Sequence, residues 1–179
     1  SSDFDPGLLT TATAIAVTRT LEKTLALKPT IKWVNDVLVD DKKICGILTE
    51  GITDLETQSL SQVVVGTGIN FLTEISTFPT ELQARVGTLA PYVKKNRLSR
   101  NHFIATYLNE FFKIYQNYTT GSFMDEYRAH CDLIGKHVTI QRPTGTLEAQ
   151  VIDINDHGAL VLENGKVLNS GEVIKVRKV

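Results

Sequence analysis

The sequence predicts an α+β chain, a mixed sheet packed by helices and followed by a small β-barrel. Apolar residues recur at helical spacing from Ala14 to Leu25, and two alternating apolar runs stand close together at Ile31–Val39 and Ile44–Ile52. After Cys131 the texture changes to short apolar runs punctuated by turn signals. The 179 residues, 42% of them hydrophobic, suffice for a domain with a small appendage and a buried core.

The elements follow in order. Asp5-Pro6 is a helix start, a capping carboxylate before a proline at the first helical position. Ala14, Val17, Leu21 and Leu25 continue the helix, and Lys28-Pro29 stops it. Ile31–Val39 and Ile44–Ile52 read as strands joined by a polar turn over Asp40–Lys42. Gln62–Val65, short and apolar, reads as a third strand, central in the sheet. Pro79 opens a brief helix containing Leu82 and Val86. A longer helix runs from about Ser99 to Tyr118, with Phe103, Tyr107 and Phe111 on one side and Leu108 and Tyr115 beside them. Ser122 with Asp125 has the spacing of a capping box for a helix carrying Phe123 and Tyr127. A boundary near Asp132 separates a domain of residues 1–131 from one of 132–179. The second holds about five short strand candidates, broken at Pro143-Thr144-Gly145, Asp156-His157-Gly158 and Asn164-Gly165.

Composition narrows the function. A net charge of −1 gives no electrostatic footprint for nucleic acid. No apolar run approaches the ~20 residues of a membrane span, and no signal segment opens the chain. Cys45 and Cys131 have no metal or redox spacing and read as free thiols of a reducing cytoplasm. The four histidines show no ligand pattern and read as structural or surface groups.

Three polar groupings stand out. Lys32, Asn35 and Asp36 interrupt an apolar run; they are either a solvated edge strand and turn or a site whose charges are paired, because an unpaired buried charge is costly. Lys43 either decorates a hairpin tip or turns inward from the return strand, with Gly46 leaving room for a ligand against the backbone. Cys45 reads as a small buried hydrophobe, since no nearby histidine would activate it. Gly66-Thr67-Gly68-Ile69-Asn70 is either a strand ending in a tight turn or a glycine-lined wall, with Asn70 offering a donor and an acceptor that suit adenine.

In this order, Lys32-Trp33-Val34-Asn35-Asp36, Lys43-Ile44-Cys45-Gly46-Ile47-Leu48 and Gly66–Asn70 resemble the K-W-P-N-D, K-x-x-G-I-L and G-x-G-I-N motifs of the biotin protein ligase family. The strands after Cys131 resemble that family's SH3-like C-terminal domain, so the resemblance covers essentially the whole chain. It implies a catalytic core like that of class II aminoacyl-tRNA synthetases. The implied reaction uses ATP and Mg²⁺ to make biotinyl-5′-AMP, then passes biotin to a lysine of a biotin carrier domain of acetyl-CoA carboxylase or another carboxylase. On that reading Lys43, Lys32 and Asp36 are catalytic. Lys43, Gly46, Leu48, Gly66 and Thr67 line biotin; Lys32, Asn35 and Asn70 face ATP; and Asp36 helps hold Mg²⁺. The family's use of its sheet in dimers extends to a homodimer here.

Val34 replaces the family's proline, and the glycine- and arginine-rich G-R-G-R-x-G loop and the helix-turn-helix of its repressor members are not in this sequence. With Ser1 first, these residues are expected to be the C-terminal part of a longer ligase, weak in biotin and ATP binding alone; an upstream helix-turn-helix would bind DNA. Two other classes remain: a lipoate-type protein ligase, and a noncatalytic dimerising or regulatory remnant.

Overall fold

The computed structural model describes residues 4–54, 56, 60–131, 133–169 and 171–177; Ser1 and the expected boundary residue Asp132 lie outside these. Helix α1 (Pro6–Leu25) begins as the sequence requires, with Asp5 Oδ1 accepting from the Leu8 N–H at 3.0 Å. Its apolar stripe is wider than the four expected positions. Ala12, Ala14, Ile15, Ala16 and Val17 are all buried, as are Thr11, Thr13, Thr18 and Thr20. Each of these threonines satisfies its hydroxyl on a carbonyl three or four residues back. Small side chains let neighbours approach α1 from several directions: it packs on α4 (Arg100–Tyr115), α5 (Met124–His130) and the sheet.

That sheet has the order β1 (Thr30–Lys32), β2 (Asp36–Val39), β3 (Lys42–Thr53) and β4 (Leu60–Ile69). Its ladders are antiparallel, with one parallel bridge between Lys43 and Val86. The expected single strand Ile31–Val39 is a hairpin. Trp33–Asn35 form its turn, Lys32 pairs with Asp36, and the Trp33–Val34 peptide is cis. The Asp40–Asp41 turn has both residues at positive φ, the conformation of a two-residue hairpin turn. The run around Gln62–Val65 is longer than expected and lies at the sheet's edge, not its centre, with Val64 exposed. Three valines in a row read as doubly buried, but only alternate ones face the helices.

Short helices α2 (Thr80–Gln83) and α3 (Ala90–Asn96) follow β4. Val86, expected in the first of these, lies beyond it in the bridge to Lys43. Helix α3, unread in the sequence, is signalled by Pro91 in its first turn. Ser99 caps α4 by accepting from the His102 N–H at 3.2 Å. The Ser122–Asp125 capping box does not form: Phe123 is the cap residue, and Asp125 pairs with Arg128 instead. The C-terminal strands β5 (His137–Arg142), β6 (Gly145–Ile154), β7 (Leu160–Leu162), β8 (Val167–Leu168) and β9 (Glu172–Arg177) match the expected number. Their order is β8-β7-β6-β5-β9, and among the described residues no pairing closes β8 onto β9.

Glu110 is a buried charge that ties α4 to α1. Its Oε1 accepts from Lys23 at 2.8 Å and from Lys113 at 3.0 Å. Burial pushes the carboxyl's pKa up, but the two lysines outweigh it, and the group titrates below its ordinary 4.5. A depressed pKa contributes stability above the ordinary carboxylate range and loses it as pH falls through the folded-state value. Glu110→Gln should therefore cost about 1.5–3 kcal/mol at neutral pH, the scale of lost hydrogen bonds to a charged group. That deficit should shrink towards zero below the carboxylate range in urea melts at several pH values; a pH-independent deficit would mean that the charge is not what stabilises.

Candidate active site

The sheet has one covered face and one bare face. On β3, Cys45 and Ile47 are buried towards the helices, whereas Leu48 is 58% exposed on the other side. The ladder pairs Asp36 with Gly46, Gly46 with Gly68 and Leu48 with Gly66, so these five residues share the bare face. Lys32, opposite Asp36, joins them.

Lys43 reaches that face because of a β-bulge. Val37 pairs with Cys45 but Leu38 pairs with Lys43, leaving Ile44 as the extra residue. In a regular strand Lys43 would share the parity of Cys45 and point into the helices. Past the bulge it lies on the Asp36 side, with Nζ 2.6 Å from Asp36 Oδ1. Gly46 makes room for this: a Cβ there would stand 3.0 Å from both Cε and Nζ of Lys43. The Lys43 backbone is pinned by the segment after α2, its N–H donating to the Arg85 carbonyl at 2.9 Å and its carbonyl accepting from Gly87 at 2.8 Å.

Around this pair lies a cavity of about 750 Å³, lined by Lys32, Asp36, Lys43, Gly46, Gly68 and Asn70, with Phe78, Leu82, Arg85 and Val86 opposite. The structure thus brings together Lys32, Asp36, Lys43, Gly46 and Asn70. Leu48 and Gly66 extend the bare floor beyond the cavity lining. Asn35 holds the hairpin to β3, its Nδ2 donating to the Ile47 carbonyl and its own carbonyl accepting from the Ile47 N–H. Asn70 Nδ2 donates to the Gly87 carbonyl at 2.9 Å, which fixes the wall opposite Lys43.

Thr67 is not on the bare face. It projects towards α4, where its hydroxyl bonds Tyr107 at 2.9 Å, so its side chain cannot line a slot over Gly46 and Gly66. Gly66–Ile69 are strand residues, not a turn. The wall residues Phe78 and Arg85 went unread in the sequence and Val86 was read only as a helix residue, since nothing local ties that loop to Lys43.

Electrostatically the site is a cation–anion pair on an open floor. Lys43 is 45% and Asp36 18% exposed in their side chains, so the lysine stays within reach of an incoming anion. Cys45, directly behind, is no nucleophile: burial pushes its thiol pKa to about 12, with Lys43 pulling it only partly back.

Both parts of the chain are similar to known proteins. Residues 3–70 match the model of the biotin/lipoate A/B protein ligase family, and residues 133–176 that of the biotin protein ligase C-terminal domain. The bifunctional ligase/repressor BirA of Bacillus subtilis is 30% identical over 161 residues, 88% of this chain and 49% of the relative. The biotin–[acetyl-CoA-carboxylase] ligase of Mycobacterium tuberculosis is 30% identical over 183 residues, 96% of this chain and 63% of the relative. The chain thus spans about half the length of the first curated relatives it matches. The Aquifex aeolicus biotin protein ligase solved with biotin and ATP has the same fold, with a TM-score of 0.76 at 22% identity over 99% of this chain and 74% of that one.

The Cys45 assignment predicts that neither thiol of the folded chain takes up iodoacetamide at pH 8, and that both do in guanidinium, read by intact mass. Labelling of Cys45 in the folded chain would contradict its burial. By its two family-model matches and its curated relatives, the chain belongs to the biotin protein ligase family.

Proposed function

We propose that this chain carries the catalytic floor of a ligase that joins biotin and ATP into biotinyl-5′-AMP and transfers biotin to a lysine of a carboxylase's biotin carrier domain. The observation that carries the reading is the Lys43–Asp36 pair over a glycine floor in a cavity of about 750 Å³. Bringing biotin's carboxylate to the α-phosphate forces two anions together, and a cation must wait between them. Lys43, released from Asp36, would bind the carboxylate and the α-phosphate at once. One such charge at ~4 Å with an effective dielectric near 20 contributes roughly 4 kcal/mol, which approaches three orders of magnitude in rate.

The other residues take supporting roles. Lys32 would meet the phosphates from the adjacent strand. Asn70, already held to Gly87, would turn its carbonyl oxygen to adenine. Gly46, Leu48 and Gly66 would floor the biotin slot, while Thr67 holds that floor from behind through Tyr107. Among the described residues no three His, Cys, Asp or Glu side chains stand together as a metal cage. Asp36, a hard oxygen ligand beside the cavity, would be the residue to hold Mg²⁺, and the ion would neutralise phosphate charge. In the second half-reaction the carrier lysine's nitrogen would attack the mixed anhydride's carbonyl carbon, AMP would leave, and Asp36 would accept the amine's proton. The edge strand β4 is where a second copy would add if the protein dimerises, and the reaction belongs to the cytoplasm, where ATP and the carboxylases are found.

The test is biotin transfer from ATP and biotin to an apo biotin carrier domain, read as a mass shift, with lipoate as competitor. Biotin should transfer and lipoate should not compete. Lys43→Ala should lower pyrophosphate release by two to three orders of magnitude with an unchanged circular dichroism spectrum. Near-normal release in that variant, or lipoate transfer, would refute the reading.

A further inference from the structure

The hairpin that carries Lys32 and Asp36 is held by the C-terminal domain. Its turn residue Trp33 is 2% exposed, and its indole Nε1 donates to the Gly158 carbonyl, 125 positions along the chain, at 2.8 Å. The next residue is also tethered, the Tyr127 hydroxyl donating to the Val34 carbonyl at 3.0 Å. Gly158 sits in a tight turn between β6 and β7 that Asn155 organises. Asn155 Oδ1 accepts from the His157 N–H at 3.0 Å and the Ala159 N–H at 2.9 Å, and its carbonyl accepts from the Gly158 N–H at 2.9 Å. Gly158 has φ of +77°, and a Cβ there would meet Thr11 Cγ2 at 2.9 Å, so the turn is seated against α1 as closely as glycine permits. Arg128 locks it from the α5 side, donating to the Ile154 carbonyl at 2.9 Å and to Asp156 at 3.1 Å.

We propose that the Asn155–Gly158 turn is a clamp that positions the Lys32–Asp36 hairpin through Trp33, and so sets the affinity for ATP rather than for biotin. The asymmetry follows from placement. Lys32 and Asp36 lie on the two arms of the clamped hairpin, while the biotin floor of Gly46, Leu48 and Gly66 lies on β3 and β4; among the described residues, the hydrogen bonds of this turn to the rest of the fold run to Trp33, Arg128 and Asp5. Trp33 is a positioning residue: its side chain faces the C-terminal domain and touches no substrate. The ATP part of the inference rests on the ligase reading above.

Asn155→Ala loosens the turn, Asn155→Asp keeps its acceptor, and Trp33→Phe keeps the ring but removes the donor. Trp33 is the single tryptophan, so acrylamide quenching of its fluorescence, with hydrogen exchange of the amides at 32–36, reads the clamp without any activity. Asn155→Ala should speed that exchange roughly fivefold to tenfold, the scale of one lost hydrogen bond, and increase quenching, while Asn155→Asp keeps wild-type values. Unchanged exchange and quenching in Asn155→Ala would overturn the clamp, whether or not the chain transfers biotin. In the transfer assay, Asn155→Ala and Trp33→Phe should each raise KM for ATP roughly fivefold with KM for biotin within twofold, and the double variant should be no worse than either. Equal rises in both KM values, or additive effects, would overturn the ATP assignment. A wild-type chain that transfers no biotin would defeat the ligase reading, and with it the ATP assignment, while quenching and exchange still decide the clamp.

Discussion

One extra residue in one strand decides where the site's charge stands. A β-strand shows alternate side chains to alternate faces, so without the bulge at Ile44 the lysine at 43 would point into the helix layer with Cys45 and Ile47, where an unpaired charge is costly. The bulge turns it to the bare face and onto Asp36. The rest of the cavity is arranged around that placement. Gly46 is small enough to lie under the lysine's chain, and Arg85 and Gly87 take the backbone hydrogen bonds that a neighbouring strand would take. A salt bridge this exposed contributes little to stability. In the proposed reaction its value is that it keeps the ammonium ready and is easily broken by a better anion.

The covered face does the structural work that frees the bare one. Helix α1, built of alanines, threonines and a few branched residues, fits between α4, α5 and the sheet with hardly any of its central residues exposed. Thr67 and Tyr107 join β4 to α4 at the level of the glycine floor, and Trp33, Tyr127 and Gly158 join the hairpin to the C-terminal half. Because folding supplies rigidity from behind, the ligand side can be glycine, lysine and aspartate with few contacts of their own.

Much of this was legible in the residues. Asp5-Pro6 and Ser99 start helices because their capping chemistry is local, and the three motifs pointed to one set of residues because strand parity puts most of them on one face. What escaped the sequence were features set by non-local pairing. The bulge is invisible because Ile44 reads like any other apolar strand residue. The turn at Trp33–Asn35 looks like a strand because Trp33 and Val34 are apolar, although Trp33 is buried against the turn between β6 and β7. Gln62–Val65 reads as central, yet lies at an edge, since three valines in a row say nothing of how many neighbours a strand has. The family resemblance assigned Thr67 to the slot, and strand alternation places it on the other side, against Tyr107.

In the proposed reaction Lys43 leaves Asp36 to bridge the two reacting anions. The decisive measurement is a crystal structure of the protein with biotinyl-5′-AMP. Lys43 Nζ should lie within hydrogen-bond distance of both the acyl oxygen and the phosphate, with its contact to Asp36 broken or shared. An adenylate bound on the bare face with the Lys43–Asp36 pair intact and no lysine contact to the anhydride would contradict it.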